Sequence, residues 1–138
     1  MLETIRLICD SGLLVLIWMV QLIIYPSFSY YQHEDLFQWH SSYTKRIAVV
    51  VIPLMVAQLI ISLIQVYTTP NFYSILYSTL VVGAWLSTFV MFVPLHDNIS
   101  KERDVAISIK KLKLHNWLRT LLWSLIFMLT CYLKITSL

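Results

Sequence analysis

An all-α, polytopic fold with four membrane-crossing helices is what this sequence predicts, and three observations predict it. Four uninterrupted apolar stretches, roughly residues 12–28, 47–67, 72–95 and 118–133, each approach the ~20 residues a helix needs to cross ~30 Å of hydrocarbon. The composition, 59% hydrophobic and 12% charged, is too extreme for an ordinary soluble domain. The apolar runs also lack period-two alternation, which favours helices over a barrel in a solvent where the backbone must satisfy its own hydrogen bonds. The whole chain, 1–138, therefore reads as a single integral membrane domain built as a four-helix bundle.

The first span carries Gln21 near mid-depth and Pro26 further on. Its N-terminal flank holds Glu3 and Arg6, and no small-residue cleavage site follows the apolar run, so the span is expected to be retained rather than removed as a signal. A connection of 18 residues comes next. Within it, His33 to Thr44 has helical spacing in Leu36, Trp39 or His40, Tyr43 and Ile47, and is expected to extend the second helix beyond the membrane. The second span contains Pro53 and Gln58. Gln21 and Gln58 are expected either to bond each other between helices or to touch a polar substrate. Pro26 and Pro53 each remove a backbone donor, and the resulting kinks would widen a cavity.

The four residues Thr68-Thr69-Pro70-Asn71 form a tight turn into the third span. There Thr79, Gly83 and Ser87 recur every four residues as a small-residue stripe for close helix packing, within the chain or against a second copy. The next connection, 22 residues, is expected to hold a surface helix at about 100–113. Val105, Ile109 and Leu112 share a face, Lys110, Lys111 and Lys113 surround it, and Ser100 with Glu102 marks its start. Such a helix lies on an anionic membrane surface or closes as a lid. The fourth span completes the bundle.

The first and third connections, with the helix ends they join, carry Lys45, Arg46, Lys101, Arg103, Lys110, Lys111, Lys113 and Arg119, whereas the other side has only Arg6 and Lys134. This bias places the two long connections in the cytoplasm and both termini outside, in a multi-pass protein of the cytoplasmic (inner) membrane. The net charge of +3 then reflects topology and contact with membrane lipid, not nucleic acid. Cys9 and Cys131 fall on the same outer side. That placement lets them meet as a pair; the alternative, favoured by the lack of a CxxC motif, is two small buried apolar side chains.

All four histidines lie at the cytoplasmic ends of the spans. His40 and His96 sit where polar connections meet apolar runs, and imidazole there serves as a metal or haem ligand or as an acid and base. His33 and His115 stand among solvated neighbours and are weaker metal candidates. Tyr25, Trp39, Tyr43 and Trp117 cluster at the same level, where aromatic rings also act as interfacial anchors. Arg119, one turn into an apolar helix, needs a carboxylate, a carbonyl or an anionic head group. Asn116, Thr120 and Trp123 form a stripe beside it, lining an entrance for an amphiphilic ligand or anchoring lipid.

Val93-Pro94-Leu95-His96-Asp97-Asn98, followed by Asn116-Trp117-Leu118-Arg119-Thr120 and Trp123, resembles the small four-helix membrane proteins grouped around the fungal anthrone oxygenases and their bacterial relatives. Tyr25-Pro26-Ser27-Phe28, with His40, Thr44 and Arg46 downstream, is similar to a further pattern of that group. The resemblance implies oxidation of a lipophilic polyketide anthrone by dioxygen, with His96 and Arg119 at matched positions.

Two functions follow as expectations. One is a membrane-embedded oxidoreductase or oxygenase acting on a lipophilic small molecule, with His40, His96 and Arg119 as its catalytic groups. Tyr25, Tyr43, Asn116, Thr120, Trp123, Gln21 and Gln58 would bind the substrate, and haem or a transition metal would sit on His40 and His96. The other is a non-catalytic subunit for assembly or lipid binding. A carboxylate di-iron site is not expected, because the acids lie in connections or near the N-terminus.

Overall fold

The computed structural model describes residues 1–136, and these form four antiparallel helices, each long and apolar enough to cross a membrane. They are α1 (Leu2–Ser27), α2 (His33–Thr68), α3 (Phe72–Ser100) and α4 (Val105–Thr136). Each helix packs on the next and α4 closes back on α1, so the bundle is an up-down-up-down square with both termini at one end.

The helices overreach the apolar runs that mark them. α2 has 36 residues, roughly 54 Å at 1.5 Å per residue, far more than ~30 Å of hydrocarbon. The two long connections are therefore mostly helix. Only Phe28 to Gln32 links α1 to α2, closed by bonds from Ser29 N to Pro26 O and Tyr30 N to Ser27 O. Glu34 and Asp35 in the first turn of α2 suit the positive end of its dipole.

The expected surface helix is also absorbed. Residues 101–104 form a tight turn with Glu102 and Asp104 at positive φ, 57° and 45°, and Arg103 N bonded to Asn98 O at 2.8 Å. From Val105 the chain is one continuous helix to Thr136. Ile109 and Leu112 are buried against α1 and α3 rather than against lipid. The periodicity was that of a helix packed in the bundle, and the lysines are its solvated side.

The tight turn into α3 matches expectation, with a reciprocal cap: Ser74 N donates to Asn71 Oδ1 at 2.9 Å and Asn71 N donates to Ser74 Oγ at 3.0 Å. The small-residue stripe packs less closely than expected. Thr79 is exposed and bonds its own helix, and a Cβ on Gly83 would meet only Leu122 at an ordinary 3.9 Å. The closer approach is at Gly12, where a Cβ would stand 3.3 Å from Leu54 of α2.

α1 and α3 each contain one wide, π-helical turn, at Val20–Ile24 and Thr88–Phe92, ending two residues before Pro26 and Pro94 respectively. A proline cannot donate to the carbonyl four residues back and crowds it, and the wide turn absorbs that conflict. α2, by contrast, runs through Pro53 without interruption, and Pro53 is exposed.

Candidate functional site

The wide turns lie beside the end of the bundle opposite the termini, and there the helices deliver their polar side chains inward. His40 Nε2 and His96 Nδ1 share a hydrogen bond of 2.9 Å, with ring centres 5.1 Å apart. The other nitrogen of His96, Nε2, shares a 3.1 Å bond with the Tyr25 hydroxyl. Three helices thus form one chain, Tyr25–His96–His40. Two proton arrangements satisfy it: Tyr25 donates to His96 and His96 to His40, or His40 donates to His96 and His96 to Tyr25. Passing from the first to the second takes a proton up at Tyr25 and releases one from the far nitrogen of His40, so the chain can carry a proton between its ends.

Phe28 packs edge-on against both His40 and Tyr43, at 5.9 and 5.7 Å, and holds them in place. Arg119 is 9% exposed and makes no ion pair among the described residues. Its guanidinium lies over Phe92 at 4.3 Å and Trp123 at 5.0 Å and adjoins the Tyr25 and Tyr43 hydroxyls. The Nε has no hydrogen-bond partner. Aromatic faces offset part of the cost of burying the cation, but they leave its Nε without an acceptor.

These groups cap a cavity of about 290 Å³ whose remaining wall is largely aliphatic, including Leu13, Ile17, Val51 and Met55. Ile52 of α2 and Val93 of α3 line it and are 55% and 50% exposed, so the cavity opens sideways between those helices at the level of the apolar runs. Its polar head lies near the border of the hydrocarbon, because Leu95 ends one run and Leu118 begins another.

Of the residues expected at a site, Tyr25, Tyr43, His96, Arg119 and Trp123 line this cavity, and His40 reaches it through His96. The others are engaged elsewhere. Gln21 and Gln58 do not meet: α1 begins at Leu2, so Gln21 lies roughly 14 Å nearer the His96 end than Gln58 at 1.5 Å per residue. Gln21 Oε1 accepts from Asn116 Nδ2 at 2.9 Å, tying α1 to α4, and the Thr120 hydroxyl donates to Asn116 O within α4. None of these four lines the cavity. Trp39 stacks with Tyr31 and Tyr43 on the surface, and Trp117 meets Trp18 on the lipid side. His33 is exposed against Phe37, and His115 is half-buried with Nδ1 unpartnered.

Neither expected cofactor suits this arrangement. Bis-histidine haem needs two imidazole nitrogens free and opposed across the macrocycle, whereas His40 and His96 bond each other directly and His96 spends its second nitrogen on Tyr25. Among the described residues no three His, Cys, Asp or Glu side chains gather as a metal-ligand set.

Sequence reasoning missed a second cluster toward the termini. Asp10 is completely buried. It accepts from Gln58 Nε2 at 2.6 Å, from the Tyr77 hydroxyl at 3.0 and 3.2 Å, and from Thr130 Oγ1 at 2.6 Å, joining all four helices. Gln58 Oε1 in turn accepts from the Trp123 indole at 3.4 Å. The signal was the spacing of Glu3, Arg6 and Asp10, which share one helical face. Starting the first span at Gly12 left that face outside it.

No family model, curated protein or solved structure matches the chain.

Proposed function

We propose that the protein is a membrane-embedded oxidoreductase of the oxygenase type, taking a lipophilic substrate from the bilayer and activating it by acid–base chemistry. The observation that carries this reading is the Tyr25–His96–His40 chain and the buried Arg119, its Nε without an acceptor, at the head of an otherwise apolar cavity. A ring-shaped molecule bearing a ketone or phenol fits that division. Its hydrocarbon body occupies the aliphatic wall and its oxygen accepts from Arg119.

In the reaction that the anthrone-oxygenase resemblance implies, the relay removes a proton from the acidic ring carbon, and Arg119 stabilises the enolate that forms. The enolate passes electrons to dioxygen. The carbon gains a carbonyl oxygen and the second oxygen atom leaves as water. Arg119 is buried in α4, so seven basic residues remain at the polar connections against Arg6 and Lys134. That bias supports an orientation with the His96 end in the cytoplasm and the termini outside.

The test is dioxygen uptake by the purified protein with anthrone as probe, followed by anthraquinone absorbance. Wild-type turnover that is lost in His96→Gln, with unchanged helicity, supports the reading. Anthrone binding without uptake, or activity retained in His96→Gln, refutes it. The lateral opening also favours a second reading, a lipid-binding subunit, and acyl lipid co-purifying in the cavity with no turnover supports that one.

A further inference from the structure

A second, polar cavity of about 230 Å³ opens at the end of the bundle that carries both termini. Arg6 of α1, Gln65 of α2, Thr69 just beyond it, Ser74 of α3 and Thr136 of α4 line it. Among the described residues two of these side chains each leave one buried polar atom without a partner. Arg6 is 5% exposed, its guanidinium rests on the Tyr77 ring at 5.3 Å, and its Nε makes no hydrogen bond. Gln65 Oε1 is buried and equally unpartnered.

Asp10, one turn along α1, does not fill the gap. Both of its oxygens already accept from Gln58, Tyr77 and Thr130, and it forms no ion pair with Arg6 among the described residues. A buried guanidinium N–H without an acceptor is disfavoured, and a buried amide oxygen calls for a donor. The complementary ligand therefore combines an anion with a hydrogen-bond donor. Arginine's planar fork matches phosphate in particular. Glu3 at the rim has its charge opposed by Lys134 at 3.5 Å, so it does not bar an anion. The volume suits a head group and not an acyl chain.

We infer that this vestibule binds a phosphate group that carries or adjoins an N–H or O–H donor, with Arg6 holding the phosphate oxygens and Gln65 accepting from the donor. The group comes either from inorganic phosphate in the water or from the phosphoethanolamine head of a membrane lipid. Native mass spectrometry of the full chain in detergent, with phosphatidylethanolamine against phosphatidylcholine, tests the lipid source, because the two differ in that donor. Thermal unfolding with millimolar phosphate against sulfate tests the soluble source.

Retention of phosphatidylethanolamine about tenfold above phosphatidylcholine supports the lipid, as a loss near that of one charged hydrogen bond would predict. A midpoint raised by phosphate and not by sulfate supports the free ion. In either case Arg6→Gln and Gln65→Leu must abolish the preference while helicity is kept. Should Arg6→Gln fail to fold, Gln65→Leu decides alone, since it removes only the acceptor from a half-buried position. No preference in either assay, or wild-type preference in Gln65→Leu, overturns the inference and leaves the vestibule to water.

Discussion

Replacing Asp10 with leucine removes the acceptor on which all four helices converge, and the cost can be worked from the contacts. Three donors lose their partner: Gln58 Nε2, the Tyr77 hydroxyl and Thr130 Oγ1. Side-chain hydrogen bonds inside membrane proteins contribute roughly 0.6–1.7 kcal/mol each, so Asp10→Leu should destabilise by about 2–5 kcal/mol. Asp10→Asn keeps one oxygen and the shape, and the Thr130 hydroxyl can turn to accept from the new amide, so about 1 kcal/mol is expected. Reversible unfolding in mixed micelles, followed by far-ultraviolet circular dichroism, measures both. The reasoning fails if Asp10→Leu is as stable as wild type, or if Asn costs as much as Leu.

Arg119→Leu should weaken anthrone binding about 10- to 100-fold, the range of one charge-assisted hydrogen bond, while Lys113→Leu, whose ammonium only reaches Ser29 on the surface, should change it less than about twofold. Equal effects in equilibrium binding would contradict the placing of Arg119 at the cavity head. Val93→Trp should slow ligand association without altering stability, because residue 93 lies on the rim and faces lipid; unchanged stopped-flow rates would show that entry runs elsewhere. Pro94→Ala restores a backbone donor and should let the wide turn of α3 tighten, lowering affinity for the same ligand. An unaltered affinity would mean that the turn is held by packing and not by the proline.

Four helices and their order were legible because lipid contact writes a continuous apolar run, and that signal needs no knowledge of partners. The same signal ends where lipid ends. It missed the helical extension in α4, where Ile109 and Leu112 are held by other helices, and it cut α1 at Gly12. His40 and His96 were legible as a pair of candidates because each marks the meeting of a polar and an apolar stretch. Their direct bond was not, since it depends on register between α2 and α3. Gln21 and Gln58 show the converse: composition marked both as needing partners, but depth decides which partner each reaches. Asn116 and Asp10 answer them at different levels.

The wide turns accommodate the prolines without re-aiming the buried faces. Eighteen residues are five turns at about 3.6 residues each. In α3 the buried Ser74, Tyr77 and Val81 recur after that interval as Phe92, Leu95 and Ile99, all buried, so the face runs straight through the wide turn. In α1 the buried Asp10 recurs as the buried Phe28, and the buried Gln21 leads one turn on to Tyr25. What sets Tyr25 and His96 against each other is therefore packing between the helices: the Tyr25 ring stacks on Phe92 of α3 at 6.4 Å and leans on Phe28 at 5.7 Å, which leaves its hydroxyl beside His96. The prolines fix where the wide turns fall, although neither lines the cavity.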